Sequence, residues 1–172
     1  MLNTYFRICK IVEANQIPQA GQEGRKRLQK IAFVSKSLGY PVPGPFIFHS
    51  HGPYSPALAA QLNDARDFGL LRGSLEEPYR LSEKGVEFAR TFLLQHPDEK
   101  QPLKIVDRVA AEIGAESTTN LELLATVFYL AAVGYEGPDQ TAKKVEELKP
   151  QRFSREEIAS AVETRSKLQA LH

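Results

Sequence analysis

The chain contains no tryptophan, one methionine and one cysteine. Cys9 alone forms no internal disulfide, so packing must hold the fold, and such sparing use of thiols suits a reducing compartment. Long apolar runs are also missing: nothing approaches the ~18 uninterrupted apolar residues that span a bilayer. The apolar start, Met1 to Val12, carries Arg7 and Lys10 and lacks a small-residue cleavage site, which does not fit a secretory signal. A cytoplasmic protein without membrane contact is expected. Glycine and proline, 11 of each in 172 residues, are too ordinary for a fibrous or low-complexity chain. Neither sign of charge prevails. The formal net charge is +1 and the pI about 7.8, whereas dedicated nucleic-acid-binding domains usually exceed a pI of ~9. Chemical apparatus is equally sparse: there is no glycine-rich phosphate loop, catalytic carboxylate pair, zinc ribbon or Gly-x-Ser-x-Gly elbow. A non-enzymatic chain with no cofactor and no metal is the expectation.

What is present suffices for one core, since 42% of the residues are hydrophobic and the length fits a single compact body. Tyr5, Phe6, Ile8, Cys9 and Val12 predict a helix over 2–14, with Cys9 placed as a small core residue. Leu28, Ile31, Val34 and Leu38 mark a second, which opens on Arg25-Lys26-Arg27. Phe46 to His49 predicts a brief strand before a turn at Gly52 to Ser55. Ser55-Pro56 then caps a third helix with Leu58, Leu62 and Ala65 inward. A hairpin spans Leu70–Ser74 and Tyr79–Leu81, and Ser82 caps a fourth helix. That order is the order of a winged helix. After a boundary at His96 to Pro102, helices are predicted near 103–114, 120–134, 140–148 and 155–170. Thr119 to Glu122 and Ser154 to Glu157 both fit capping boxes. The fold class expected is thus mainly α (α+β): a winged-helix-like part over residues 1–96 with a small β-hairpin, packed against a C-terminal helical bundle over 97–172 to form one compact body.

Three places could carry function. Residues 1–50 hold seven Lys/Arg against two acids, and Arg25, Lys26, Arg27 and Lys30 form the basic stretch a nucleic-acid-binding regulator would use. Against duplex binding by the winged helix itself, the outward positions of the third helix, Ala60, Asn63, Asp64 and Asp67, are acidic in balance. The hairpin tip is Glu76-Glu77, which phosphates would repel. His51-Gly52-Pro53-Tyr54-Ser55-Pro56 is the densest local signal; it serves as turn punctuation and cap, or as a contact for an anion or partner. His49 and His51 would share a face if the strand ran through both, but two ligands fall short of a metal site. The leading expectation is a regulatory or protein-interaction module with a protein partner, contacted through Gly52, Pro53, Tyr54, Ser55, Ala60, Asp64 and Asp67. Nucleic-acid binding is the alternative.

Arg27-Leu28-Gln29-Lys30-Ile31-Ala32-Phe33, His51 to Leu58 and Gly69-Leu70-Leu71 resemble the YwgA-type proteins. More distantly they resemble the Panacea domain of SocA-like antitoxins, which have a similar Leu-Gln-Lys helix and Gly-Pro turn. Leu121 to Leu130 and Lys149 to Ala161 extend the YwgA likeness into the C-terminal half. The aromatic residue that commonly precedes the Gly-Pro turn in the Panacea domain is His51 here. The resemblance implies a small bacterial or archaeal intracellular protein, antitoxin-like in acting through protein contacts, and supplies no catalytic residue.

Overall fold

A computed structural model describes residues 1–74 and 76–170. Helix α1 (Leu2–Ala14) has the predicted bounds and buries Phe6, Ile8, Cys9, Ile11 and Val12. Helix α2 (Gly21–Ser37) begins earlier than its apolar stripe implies. The cations Arg25, Lys26 and Arg27 therefore lie beyond the first turn, where Glu23 instead meets the positive end of the helix dipole.

The first strand departs from expectation in its partner. Strand β1 (Ile47–His49) pairs antiparallel with β2 (Gly52–Tyr54), residues assigned to a turn by sequence, in the register Ile47 to Tyr54, Phe48 to Pro53 and His49 to Gly52. Only Ser50 and His51 connect them, and Gly52 takes a φ of +83° that other residues resist. Pro53 brings no amide hydrogen, which a two-stranded edge tolerates. Helix α3 (Pro56–Asp67) follows with Ser55 as its cap, the Ser55 Oγ accepting from the Leu58 amide. Strands β3 (Leu71–Arg72) and β4 (Arg80–Leu81) make a second hairpin, and the two sheets stay separate. The observed order has one strand more than the expected winged-helix order, and β1 closes on that extra neighbour rather than on the second hairpin.

Helix α4 (Glu83–Gln95), capped by Ser82, runs through a short 3-10 turn at Pro97–Glu99 into α5 (Lys100–Ile113). Helices α6 (Thr118–Ala132), α7 (Pro138–Leu148) and α8 (Arg155–Ala170) complete a mainly α fold with a little β structure. The α8 start is the predicted capping box: the Ser154 amide donates to Glu157 Oε2 at 2.7 Å and the Glu157 amide to Ser154 Oγ at 3.1 Å. The α6 start is not. Ser117 caps it through the Asn120 amide, which leaves Glu122 on the helix body, where it is buried.

Helix α6 is apolar nearly all round because two cores share it. Leu121, Leu124, Ala125 and Phe128 join the main cluster with α1, α2, α4 and α5, while Leu123, Val127 and Leu130 pack with Val145, Phe153, Ile158 and Val162. The main cluster draws on residues from both sides of the predicted boundary near His96, from Phe6 to Leu168. Among the described residues, no helix is long and apolar enough to cross a membrane.

Candidate functional site: a cationic cleft between two helices

Two segments distant in sequence meet through three hydrogen bonds. The Gln29 carboxamide grips the Ser55 backbone on both sides, accepting from its amide at 2.8 Å and donating to its carbonyl at 2.9 Å. Lys30 Nζ donates to the Pro53 carbonyl at 2.8 Å. Gln29, Lys30, Gly52, Pro53 and Ser55 are all buried, so these bonds are made away from water, where leaving a partner unmade costs about 1–3 kcal/mol. The Leu-Gln-Lys helix and the Gly-Pro-Tyr-Ser strand are therefore one structural unit.

That unit forms the wall of a cleft of about 450 Å³. Helix α2 contributes Gln22, Arg25, Lys26, Gln29 and Lys30, and the first hairpin contributes His49, His51, Gly52 and Tyr54. Ala59, Leu62 and Asn63 of α3 face them, with Tyr79 at the edge. Tyr79 OH donates to Asn63 Oδ1 at 3.4 Å, tying the second hairpin to α3. No carboxylate is among the described lining residues. Burial is the main influence on Lys30 and lowers its ammonium to about 8, with Glu122 opposing. Loss of solvent, then the charges of Lys26 and others, lowers the His51 imidazole, again against Glu122.

The far side of the hairpin is anchored by a charge cluster absent from the sequence expectations, with Glu122 and Lys149 buried and Arg152 at the surface. Glu122 pairs with Lys149 at 2.6 Å and with Arg152 at 2.8 Å, and Lys149 also donates to the Ser50 carbonyl at 2.8 Å. Burial pushes the Glu122 carboxyl up, but the two cations outweigh it and hold it below the ordinary value. The Phe48 and Tyr129 rings, 4.5 Å apart, complete the seat of the hairpin on α6. The signal for this cluster was a lone acid in an otherwise apolar helix, which the supposed capping box had explained away.

The candidate residues divide as follows. Of the basic stretch, Arg25 is exposed and Lys26 half-buried, but Arg27 is 0% exposed. Its guanidinium is taken up by Asn15 Oδ1 at 2.9 Å and by the carbonyls of Gly114 and Glu116. Arg27 is thus a staple between α2 and the turn after α5, which corrects its placement on a solvated basic face. Lys30 is likewise no surface cation. Of the proposed partner contacts, Gly52, Pro53 and Ser55 are buried and serve the hairpin and cap, whereas Tyr54, Ala60, Asp64 and Asp67 are exposed. His49 ends its strand and His51 sits in the turn, so the two do not share a strand face; no group of three His, Cys, Asp or Glu among the described residues is placed to hold an ion. Cys9 is buried in the core and desolvation pushes its thiol up to about 12, too high for a nucleophile at neutral pH.

These two joined segments lie within a chain that has a curated relative. It is similar to YwgA of Bacillus subtilis (strain 168). Identity is 29% over 147 residues, covering 81% of this chain and 83% of that uncharacterised protein. No protein-family model matches the chain. The likeness to YwgA runs over most of both proteins.

Proposed function

We propose that the chain is a non-enzymatic regulatory module that works by contact with a protein partner, as antitoxin-like proteins do. The observation that carries this is the outer edge of α3. Ala60, Asp64 and Asp67, one helical stripe apart by four and three residues, are all exposed on an element that Ser55, Gln29 and Tyr79 hold rigidly. A fixed helix with an acidic edge suits a partner of basic surface and repels a nucleic-acid backbone. Tyr54, 37% exposed at the head of the same helix, adds an aromatic anchor of the kind enriched at interfaces.

The test is affinity purification from the native cytoplasm, followed by reconstitution with the purified partner. We expect Asp64→Lys with Asp67→Lys to weaken the complex at least tenfold while the protein stays folded. An unchanged partner set at unchanged affinity would remove the α3 edge from the interface. Duplex binding through Arg25, Lys26, Arg27 and Lys30 has only the first two cations near solvent to offer. No measurable binding to duplex DNA at ~50 mM salt is expected; binding that falls steeply with salt would reverse the proposal.

A further inference from the structure

We propose that the cleft between α2, the first hairpin and α3 is a binding site for a small organic phosphate that carries a planar ring and is of nucleoside monophosphate size. The site shares Tyr54 with the proposed partner surface but lies apart from Ala60, Asp64 and Asp67, and it does not depend on the identity of a partner.

Charge comes first. Arg25, Lys26 and Lys30 line one cavity that no carboxylate enters among the described residues. Lys26 is drawn at 3.4 Å towards Glu23, which lies outside the lining, and Arg25 makes no ion pair with a described residue. Lys30 is the built element. It is 3% exposed, and its one hydrogen bond to a described residue, to the Pro53 carbonyl, uses one of three ammonium hydrogens. The acid whose charge acts on it, Glu122, is itself paired with Lys149 and Arg152. A desolvated ammonium without its own counter-ion is costly, and a bound anion is what would relieve it. Three cations exceed what a single carboxylate requires and match a phosphate dianion.

Shape and the remaining lining point to a ring attached to that phosphate. Tyr54, Tyr79, His49 and His51 bring flat side chains around an apolar floor of Ala59 and Leu62, and the Tyr54 and His49 ring centroids lie 6.2 Å apart. Gln22 and Asn63 supply amides able to both donate and accept, as the edge of a heterocycle demands. A volume of about 450 Å³ falls in the ordinary range for small-ligand pockets. A Cβ on Gly52 would meet Thr126 Oγ1 at 3.4 Å and Lys30 Nζ at 3.6 Å, so the Lys30 ammonium packs directly beneath the hairpin backbone.

The experiment is isothermal titration calorimetry of the full chain with adenosine, guanosine, cytidine and uridine 5′-monophosphates, with inorganic phosphate and benzoate as reference probes. At least one monophosphate is expected to bind one-to-one and at least tenfold tighter than either reference. Arg25→Gln, at an exposed position with no ion pair to a described residue, should weaken it about tenfold. Lys30→Met should abolish it, with a thermal melt confirming that the variant is folded. Tyr54→Leu should reduce the preference over inorganic phosphate. Overturning results are monophosphate binding no tighter than inorganic phosphate, binding indifferent to Arg25→Gln, or no binding by any probe.

Discussion

Glu122 shows how much one side chain can fix. Its carboxylate accepts from Lys149 and Arg152 in the second core's upper rim, and Lys149 passes the restraint on to Ser50 at the tip of the first hairpin. Breaking a buried pair by removing one member strands the other charge, so Glu122→Gln is expected to destabilise the protein by about 3 kcal/mol in chemical denaturation. The pH dependence has a definite sign. A carboxyl held below its ordinary value of 4.5 in the folded state stabilises above that value, and the contribution disappears as pH falls through the folded one. Stability of the parent protein should thus drop more steeply below pH 4.5 than that of Glu122→Gln, and parallel curves would show that Glu122 is not titrating in the cluster. Arg27 plays a similar part in α2, though its partners are mainly carbonyls. Neither role was legible from sequence: a charged residue announces its charge but not the distant backbone that absorbs it.

At the scale of elements, close approach decides more than propensity. Gly85 lies in the first turn of α4, and a Cβ there would sit 2.0 Å from the Leu70 carbonyl oxygen, main-chain atoms that cannot step aside. Gly85→Ala should lower stability by about 1–3 kcal/mol or more through forced separation of α4 from the second hairpin. Gly137→Ala, where nothing lies within 4 Å, should be nearly neutral in the same thermal melt. Equal losses in the two variants would refute the steric account. The helices themselves were largely readable: α1 and α8 have the expected bounds, and the Ser55-Pro56 and Ser82 caps stand where the residue types place them. The first strand was read as single because Gly52 to Ser55 has turn chemistry. Pairing with Phe48 is a tertiary choice, stabilised by the Gln29 and Lys30 bonds to the second strand's backbone and its neighbour.

For the whole molecule, the central fact is that α6 lies between two cores and packs on α2 and α8 alike. A fragment of residues 1–96 would expose Leu28, Ile31 and Val34 wherever α2 now meets α5 and α6. We expect such a fragment to show no cooperative thermal unfolding by circular dichroism, whereas the full chain should melt in one transition. A cooperative melt of the fragment would show two separable bodies. The sequence alone determined the helix content, the apolar stripes, the caps of α3, α4 and α8 and the acidic edge of α3, because these follow from periodicity and from residue chemistry within a few positions. Only the tertiary structure decided that Arg27 and Lys30 leave the surface, that Glu122 is a buried anchor, and that α2 and the first hairpin enclose a cationic cleft. Those outcomes depend on which distant groups meet, and a buried charge is tolerated only where the fold brings its partner.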